Sequence, residues 1–227
     1  SLRRAALVTC LVMFDCDGTL VDSQYVITDS MQAAFRMRGL PPPPGEAVKR
    51  IVGLSLPEAI GRLYPEGAGP IIDSLVAAYK EAFIELRDGN DLHEPLFSGV
   101  VQTLTLLEEA GYLLGIATGK SRRGLHAVLD SHGLGKYFVT LQTADDAPGK
   151  PHPGMLQRAM TETGAQKDET VLIGDTVFDM EMARNAGVAA FGVSWGYHEV
   201  AELRSAGAHV VLDHLNELPP LLAPPRK

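Results

Sequence analysis

Cysteine is nearly absent from this chain. There are two in 227 residues, Cys10 and Cys16, six positions apart on or beside one apolar stretch. That excludes a disulfide framework, and the spacing matches no metal-binding pattern. A reducing compartment, the cytoplasm, is the expectation. Cys16 lies between Asp15 and Asp17, neighbours that raise a thiol's pKa rather than activate it. Basic charge is scarce as well: 20 Lys and Arg stand against 28 Asp and Glu, a net charge of −8. No basic stripe exists for nucleic acid to follow, and an acidic surface does not favour anionic membranes. No apolar run approaches the ~20 residues of a membrane span. Arg3-Arg4 ahead of residues 5–14 has the outline of a short signal peptide, but that run leads directly into a carboxylate motif.

An apolar share of 45% is ordinary for a protein with a real core. The length suits one α/β domain with an insertion, or two small domains. No internal repeat is visible, and biased composition is confined to Pro41–Pro44 and the tail 219–227.

The most informative segment is Asp15-Cys16-Asp17-Gly18-Thr19-Leu20, which follows the apolar run 7–14. Such a run reads as a buried parallel strand. Its two carboxylates then stand at the strand's carboxyl end, where open α/β sheets bind ligands, and side-chain alternation aims both the same way. Gly18 permits a sharp turn. Paired carboxylates repel unless a cation or a shared proton intervenes. The pair is therefore a hard-metal site, an acid/base pair or both; taken alone, the spacing fits equally well an Asx turn with two solvated acids.

Three more segments follow apolar runs: Ala117-Thr118-Gly119-Lys120, Lys150-Pro151-His152-Pro153 and Gly174-Asp175-Thr176-Val177-Phe178-Asp179. A hydroxyl with backbone N–H groups at a helix start, as at Thr118 and Gly119, forms an anion site. A carboxylate at Asp175 can complete an oxygen-only shell of the kind Mg²⁺ prefers. Asp179 falls in the first turn of the next helix, where an acid suits the dipole and can also support a neighbouring ligand. Lys120 is expected to be exposed, and His152 to serve a turn.

Residues 23–40, 46–51, 57–63 and 70–87 read as helices by their apolar periodicity and breakers. From residue 92, candidate strands 113–117, 137–140, 170–173, 190–193 and 209–212 alternate with helices over 99–110, 121–132, 153–163, 177–185 and 199–206. Helices of that length serve as right-handed crossovers. The expected fold is α/β: a Rossmann-like open parallel sheet with helices on both faces, formed by residues 1–21 and 92–227, plus an inserted all-helical cap of residues 22–91.

In this order, the four segments resemble the four motifs of the haloacid dehalogenase superfamily of phosphatases. Asp15 and Asp17 match the first, Thr118 the second, Lys150 the third, and Asp175 with Asp179 the fourth. The tail Val193-Ser194-Trp195-Gly196-Tyr197-His198 and Glu217-Leu218-Pro219 is similar to the phosphoglycolate phosphatase branch. The resemblance implies a phosphate monoester hydrolase with Mg²⁺ as cofactor and a small phosphorylated metabolite as substrate. Asp15 is then the nucleophile and Asp17 the general acid and base. Asp15, Asp175 and the backbone carbonyl of Asp17 hold the metal, Asp179 supports it or Lys150, and Gly18, Thr118, Gly119 and Lys150 hold the phosphate. Gly53, Leu54 and Ser55 resemble the family's specificity loop. Lys80 and Arg87 are expected to be solvated, and Tyr197 and His198 to border the pocket, with His198 as an alternative helix-start residue. A phosphotransferase in the manner of β-phosphoglucomutase is the rival on the same scaffold; the loop here lacks the arginine that follows the turn in that mutase. A catalytically inactive binding module is the other rival. Nothing in the sequence indicates the oligomeric state.

Overall fold

The computed structural model describes residues 9–88 and 94–225. Six strands form one parallel sheet: β1 (Leu11–Phe14), β2 (Leu113–Ala117), β3 (Phe138–Gln142), β4 (Thr170–Gly174), β5 (Ala189–Val193) and β6 (Val210–Leu212), in the order β3-β2-β1-β4-β5-β6. The order reverses beside β1, and that switch point is where doubly wound sheets hold ligands. All four residues of β1 are fully buried. Val12 and Phe14 join the core on one face and Leu11 and Met13 the core on the other. A strand covered on both sides must be apolar throughout, which is why its sequence shows no polar alternation.

Helices α5 (Val100–Glu109) and α6 (Arg122–His132) cover the first face, while α7 (Gly154–Thr163), α8 (Val177–Ala186) and α9 (Val200–Ala206) cover the second. Helices α1 (Gln24–Met37), α2 (Gly45–Lys49), α3 (Leu56–Leu63) and α4 (Gly69–Asp88) lie between β1 and α5 in the chain. They bury a core of their own, including Met31, Phe35, Val48, Ile60 and Leu75, and Phe178 of α8 also enters it. Their connections to the sheet domain run side by side: the Asp22 N–H donates to the Pro95 carbonyl (2.8 Å), and the Phe97 N–H donates to the Leu20 carbonyl (3.0 Å).

Helices and strands fall within a few residues of their expected bounds. Tyr137, expected in a strand, lies in a single 3-10 turn (Gly135–Tyr137) instead. Its hydroxyl bonds Thr105 at 2.8 Å, and pairing with β2 begins only at Phe138. The expected first helix stops at Met37 rather than residue 40, because the chain turns through Gly39 and the Leu40 N–H returns to the Phe35 carbonyl (2.9 Å). The expected cap boundary at residues 91 and 92, the side chain of Arg87, Arg3-Arg4 and the first residues of the run 7–14 lie outside the described residues.

Candidate active site

Phe14 pairs with Ile116 of β2 and Ile173 of β4, so three strands end level with one another. Asp15, Thr118 and Asp175 therefore emerge together from segments far apart in sequence. All three are buried. Gly18 adopts φ +78°, and a Cβ there would overlap the Asp175 carboxylate and lie 2.5 Å from the Tyr197 ring. No other residue fits that turn.

The Asp15 Oδ1 atom accepts from the Cys16 N–H at 2.6 Å. Its Oδ2 lies 2.8 Å from Lys150 Nζ but has no well-directed hydrogen bond. Lys150 is fully buried, follows a short loop after β3, and begins a cis bond to Pro151. Its Nζ also donates to Asp179 Oδ1 at 2.6 Å. The other Asp179 oxygen accepts from the Thr176 hydroxyl (2.8 Å) and N–H (3.1 Å), closing the capping box of α8. Asp179 thus both caps its helix and grips the lysine. Asp175 accepts from the Thr19 hydroxyl at 2.8 Å and from the Tyr197 N–H at 3.0 Å.

Carboxylate oxygens of Asp15, Asp175 and Asp179 lie within 4.8 Å of one another. Burial pushes the Asp15 carboxyl up to about 7, against the pull of Lys150, with Asp179 adding to the rise. Burial also drives Asp175 well above the usual carboxylate range, helped by Asp15 and Asp179. Burial works against the Lys150 ammonium, but Asp15 and Asp179 outweigh it and its pKa is raised. Three buried acids share one lysine, and burial disfavours their charged forms in the absence of a further cation. That donor set, oxygen throughout, fits a hard divalent cation such as Mg²⁺.

The side chain of Asp17 is outside this cluster. Asp17 Oδ1 instead accepts from the Ser23 hydroxyl and lies 2.9 Å from Lys120 Nζ. A role for Asp17 toward a metal is then left to its backbone carbonyl.

Lys120 corrects a sequence expectation. Its side chain is 9% exposed, not solvated, and it also pairs with Glu94 at 3.2 Å beneath the Phe83 ring of α4. Burial opposes its charge, but Asp17 and Glu94 outweigh that and raise its pKa. Glu94 escaped notice in the sequence because an isolated acid carries no local signal. Thr19 and Ser23 escaped too, although Thr19 belongs to the first motif.

Thr118 donates its N–H to the Gln142 carbonyl (3.0 Å), and its hydroxyl accepts from the Lys120 N–H at 3.2 Å. The loop of Gly53, Leu54 and Ser55 sits directly over this turn. A Cβ on Gly119 would lie 2.5 Å from the Leu54 carbonyl oxygen and 2.8 Å from that of Gly53. Ser55 approaches Gly149 in the same way, at 3.1 Å from a Cβ there. The Leu54 side chain itself is buried in the cap's own core. The loop therefore faces the site with its backbone and with Ser55.

His198 is buried and does not start a helix. Its Nδ1 accepts from the Val177 N–H (3.1 Å), so its Nε2–H donates to the Arg50 carbonyl (3.3 Å). It ties the sheet domain to the cap, and burial, then Arg50, lowers its pKa. Lys80 is exposed, as expected, and exposed His152 accepts from the Gly154 N–H in its turn. Burial, more than the acids, raises the Cys16 thiol, with Asp17 adding to it.

Residues 12–193 match the model of the haloacid dehalogenase-like hydrolase family. A protein of Dickeya dadantii named Probable phosphatase IndB is 38% identical over 92% of this chain and 91% of its own length. The Phosphoglycolate phosphatase of Vibrio parahaemolyticus is 31% identical over 92% of this chain and 93% of its own. Among solved structures, a hydrolase from Pseudomonas syringae superposes with a TM-score of 0.83 at 28% identity, over 94% of this chain and 99% of that one.

Proposed function

This chain belongs to the haloacid dehalogenase-like hydrolase family, and from that premise we propose that it is a Mg²⁺-dependent phosphatase of small phosphate monoesters, phosphoglycolate or a sugar phosphate. The observation that carries the reading is the buried Asp15 carboxylate at the end of β1, its Oδ2 paired with the Lys150 ammonium at 2.8 Å. The names of the two relatives support the phosphate ester as substrate.

Asp15 Oδ2 attacks phosphorus and the bond from phosphorus to the alcohol oxygen breaks, leaving an aspartyl-phosphate. Dividing the hydrolysis into two displacements lowers each barrier. Asp17 gives its proton to the departing oxygen, then takes one from the water that attacks the phosphoryl group and frees Asp15. Lys150, the Thr118 hydroxyl and the Gly119 N–H hold the phosphoryl oxygens as charge grows on them, and Gly18 lets the chain turn close to them. Lys150 is fixed for that work by Asp179. Asp15, Asp175 and the Asp17 carbonyl would hold Mg²⁺, which when bound offsets the charge of the acids and of the phosphate.

Residues 22–91 act as the cap, the remainder as the core. The core residues grip the phosphoryl group common to every ester, and Gly53, Leu54 and Ser55 face its leaving-group side. Closure of the cap excludes water from the site.

Phosphate release from a panel of phosphorylated metabolites, scored as kcat/KM, tests the reading. EDTA is expected to abolish turnover and Mg²⁺ to restore it. Ca²⁺ is expected to bind with little turnover, because its larger, looser shell misplaces the attacking carboxylate. Full activity in EDTA would sink the metal assignment.

A further inference from the structure

Among the described residues, four buried side-chain atoms have no hydrogen-bond partner: Asp15 Oδ2, Ser30 Oγ, Thr103 Oγ1 and Tyr197 Oη. Asp15 Oδ2 has its explanation in the chemistry above. Ser30 and Thr103 lie within α1 and α5, away from the strand ends. The Tyr197 hydroxyl is the other orphan at the site, and the phosphoryl chemistry does not use it.

Tyr197 is held firmly. It lies on the loop after β5, its N–H donates to Asp175 Oδ2 at 3.0 Å, and the neighbouring Trp195 indole N–H donates to the Thr19 carbonyl at 3.2 Å. Its ring lies over Gly18, 2.5 Å from where a Cβ would be, and packs against the apolar core of the cap. The ring is thus wedged between the first motif and the cap, beside Asp175. Its phenolic O–H can donate to an oxygen that reaches it. The cation nearest the same space, Lys120, is already held by Asp17 and Glu94. A buried donor without an acceptor is unfavourable and persists where a ligand supplies the acceptor.

We propose that the Tyr197 hydroxyl donates a hydrogen bond to an oxygen on the alcohol portion of the substrate, selecting phosphate esters whose leaving group carries a hydroxyl or carboxylate oxygen near the ester bond. The proposal rests on the phosphatase reading and adds the chemical character of the leaving group to it. A site built to hydrogen-bond a substrate oxygen discriminates strongly against an analogue that lacks it, because its polar group is then left unpaired.

Tyr197→Phe removes the hydroxyl and nothing else. Wild type and variant are compared on ethyl phosphate, which has no such oxygen, and on 2-phosphoglycolate and glycerol 1-phosphate, which do. The variant is expected to lose at least tenfold more kcat/KM on one or both oxygen-bearing esters than on ethyl phosphate. Its melting temperature is expected to equal or exceed that of the wild type, since a donor with no partner in the free protein is gone. Equal losses on all three esters, or no loss on any, would overturn the proposal. So would a lowered melting temperature, which would mean that the hydroxyl has a partner in the free protein. A wild-type enzyme inactive on every phosphate ester would instead refute the phosphatase reading itself.

Discussion

Lys120 and Asp17 form an ion pair of 2.9 Å in which each side chain is 9% exposed, with Glu94 completing the group at 3.2 Å from the same ammonium. Lys120 comes from the turn after β2, Asp17 from the turn after β1 and Glu94 from the chain returning out of the cap. One cation thus pins the proposed general acid to the chain that follows the four helices α1–α4. Lys120→Met leaves two buried carboxylates without it. Removing one partner of a buried pair costs about 3–5 kcal/mol, a fall in melting temperature of order 10 °C for a chain of this size. Lys120→Arg is expected to recover part of the loss. A Lys120→Met protein as stable as wild type would show that the pair contributes nothing net.

The proposed division of labour between Asp15 and Asp17 predicts different losses. Asp15→Asn keeps the shape but removes the nucleophile, and turnover is expected to fall by several orders of magnitude. Asp17→Asn keeps the nucleophile and loses proton transfer, a cost of roughly 10²–10⁴-fold. Single-turnover and steady-state rates on one ester give both numbers. Near-normal activity in Asp15→Asn would favour direct attack by water.

Gly119 tests closure of the cap. An added methyl would meet the carbonyl oxygens of Leu54 and Gly53 at 2.5 and 2.8 Å, both backbone atoms that cannot swing aside. Gly119→Ala is expected to lower kcat/KM by more than tenfold on every ester, as a closure defect, with Mg²⁺ dependence retained. Gly61→Ala is the control, since nothing lies within 4 Å of its Cβ and the site is helical; it is expected to be neutral or to stabilise by about 0.4–1 kcal/mol. Replacing Ser55 should instead reorder the preferred esters. Uniform slowing by Ser55 variants would assign the loop to closure alone.

Arg50 at the end of α2 and Glu202 of α9 join cap and core with two hydrogen bonds of 2.7 and 2.6 Å. The Arg50 guanidinium holds the Glu202 carboxyl down at about 2, below its ordinary 4.5. The folded state therefore prefers the ionised acid. The contribution to stability is complete above pH 4.5, declines as the pH falls, and is gone below 2. The stability gap between wild type and Glu202→Gln should be constant above that window and close within it, as unfolding by denaturant at several pH values would reveal. A gap that persists at pH 2 would point to packing rather than charge.

The sheet, its two helical layers and the four motif segments were legible in the sequence because each depends on local pattern. A strand buried on both faces must be apolar, and a ligand-binding residue in such a sheet stands where the strand stops. Asp15, Thr118 and Asp175 follow such strand ends, while Lys150 lies on a loop beyond β3 and rests on the resemblance of the motifs, which suggested all their roles. Tyr197 and His198 follow a strand end and are expected at the pocket's edge, but their partners, like those of Lys120, cannot be read from the chain. Lys120 carries a charge that in most sequence contexts seeks water, and only Asp17, Glu94 and the α4 ring above it make burial tolerable. His198 joins the cap because Arg50, 148 positions away, offers its carbonyl. The Asp17 side chain turns to Ser23 and Lys120, while Asp179 joins Asp15 and Asp175 in the acidic cluster. Chain pattern determines which surfaces must be buried and where strands end; which charges meet between the helices α1–α4 and the sheet depends on contacts between segments with no sequence relation, and only the tertiary structure decides those.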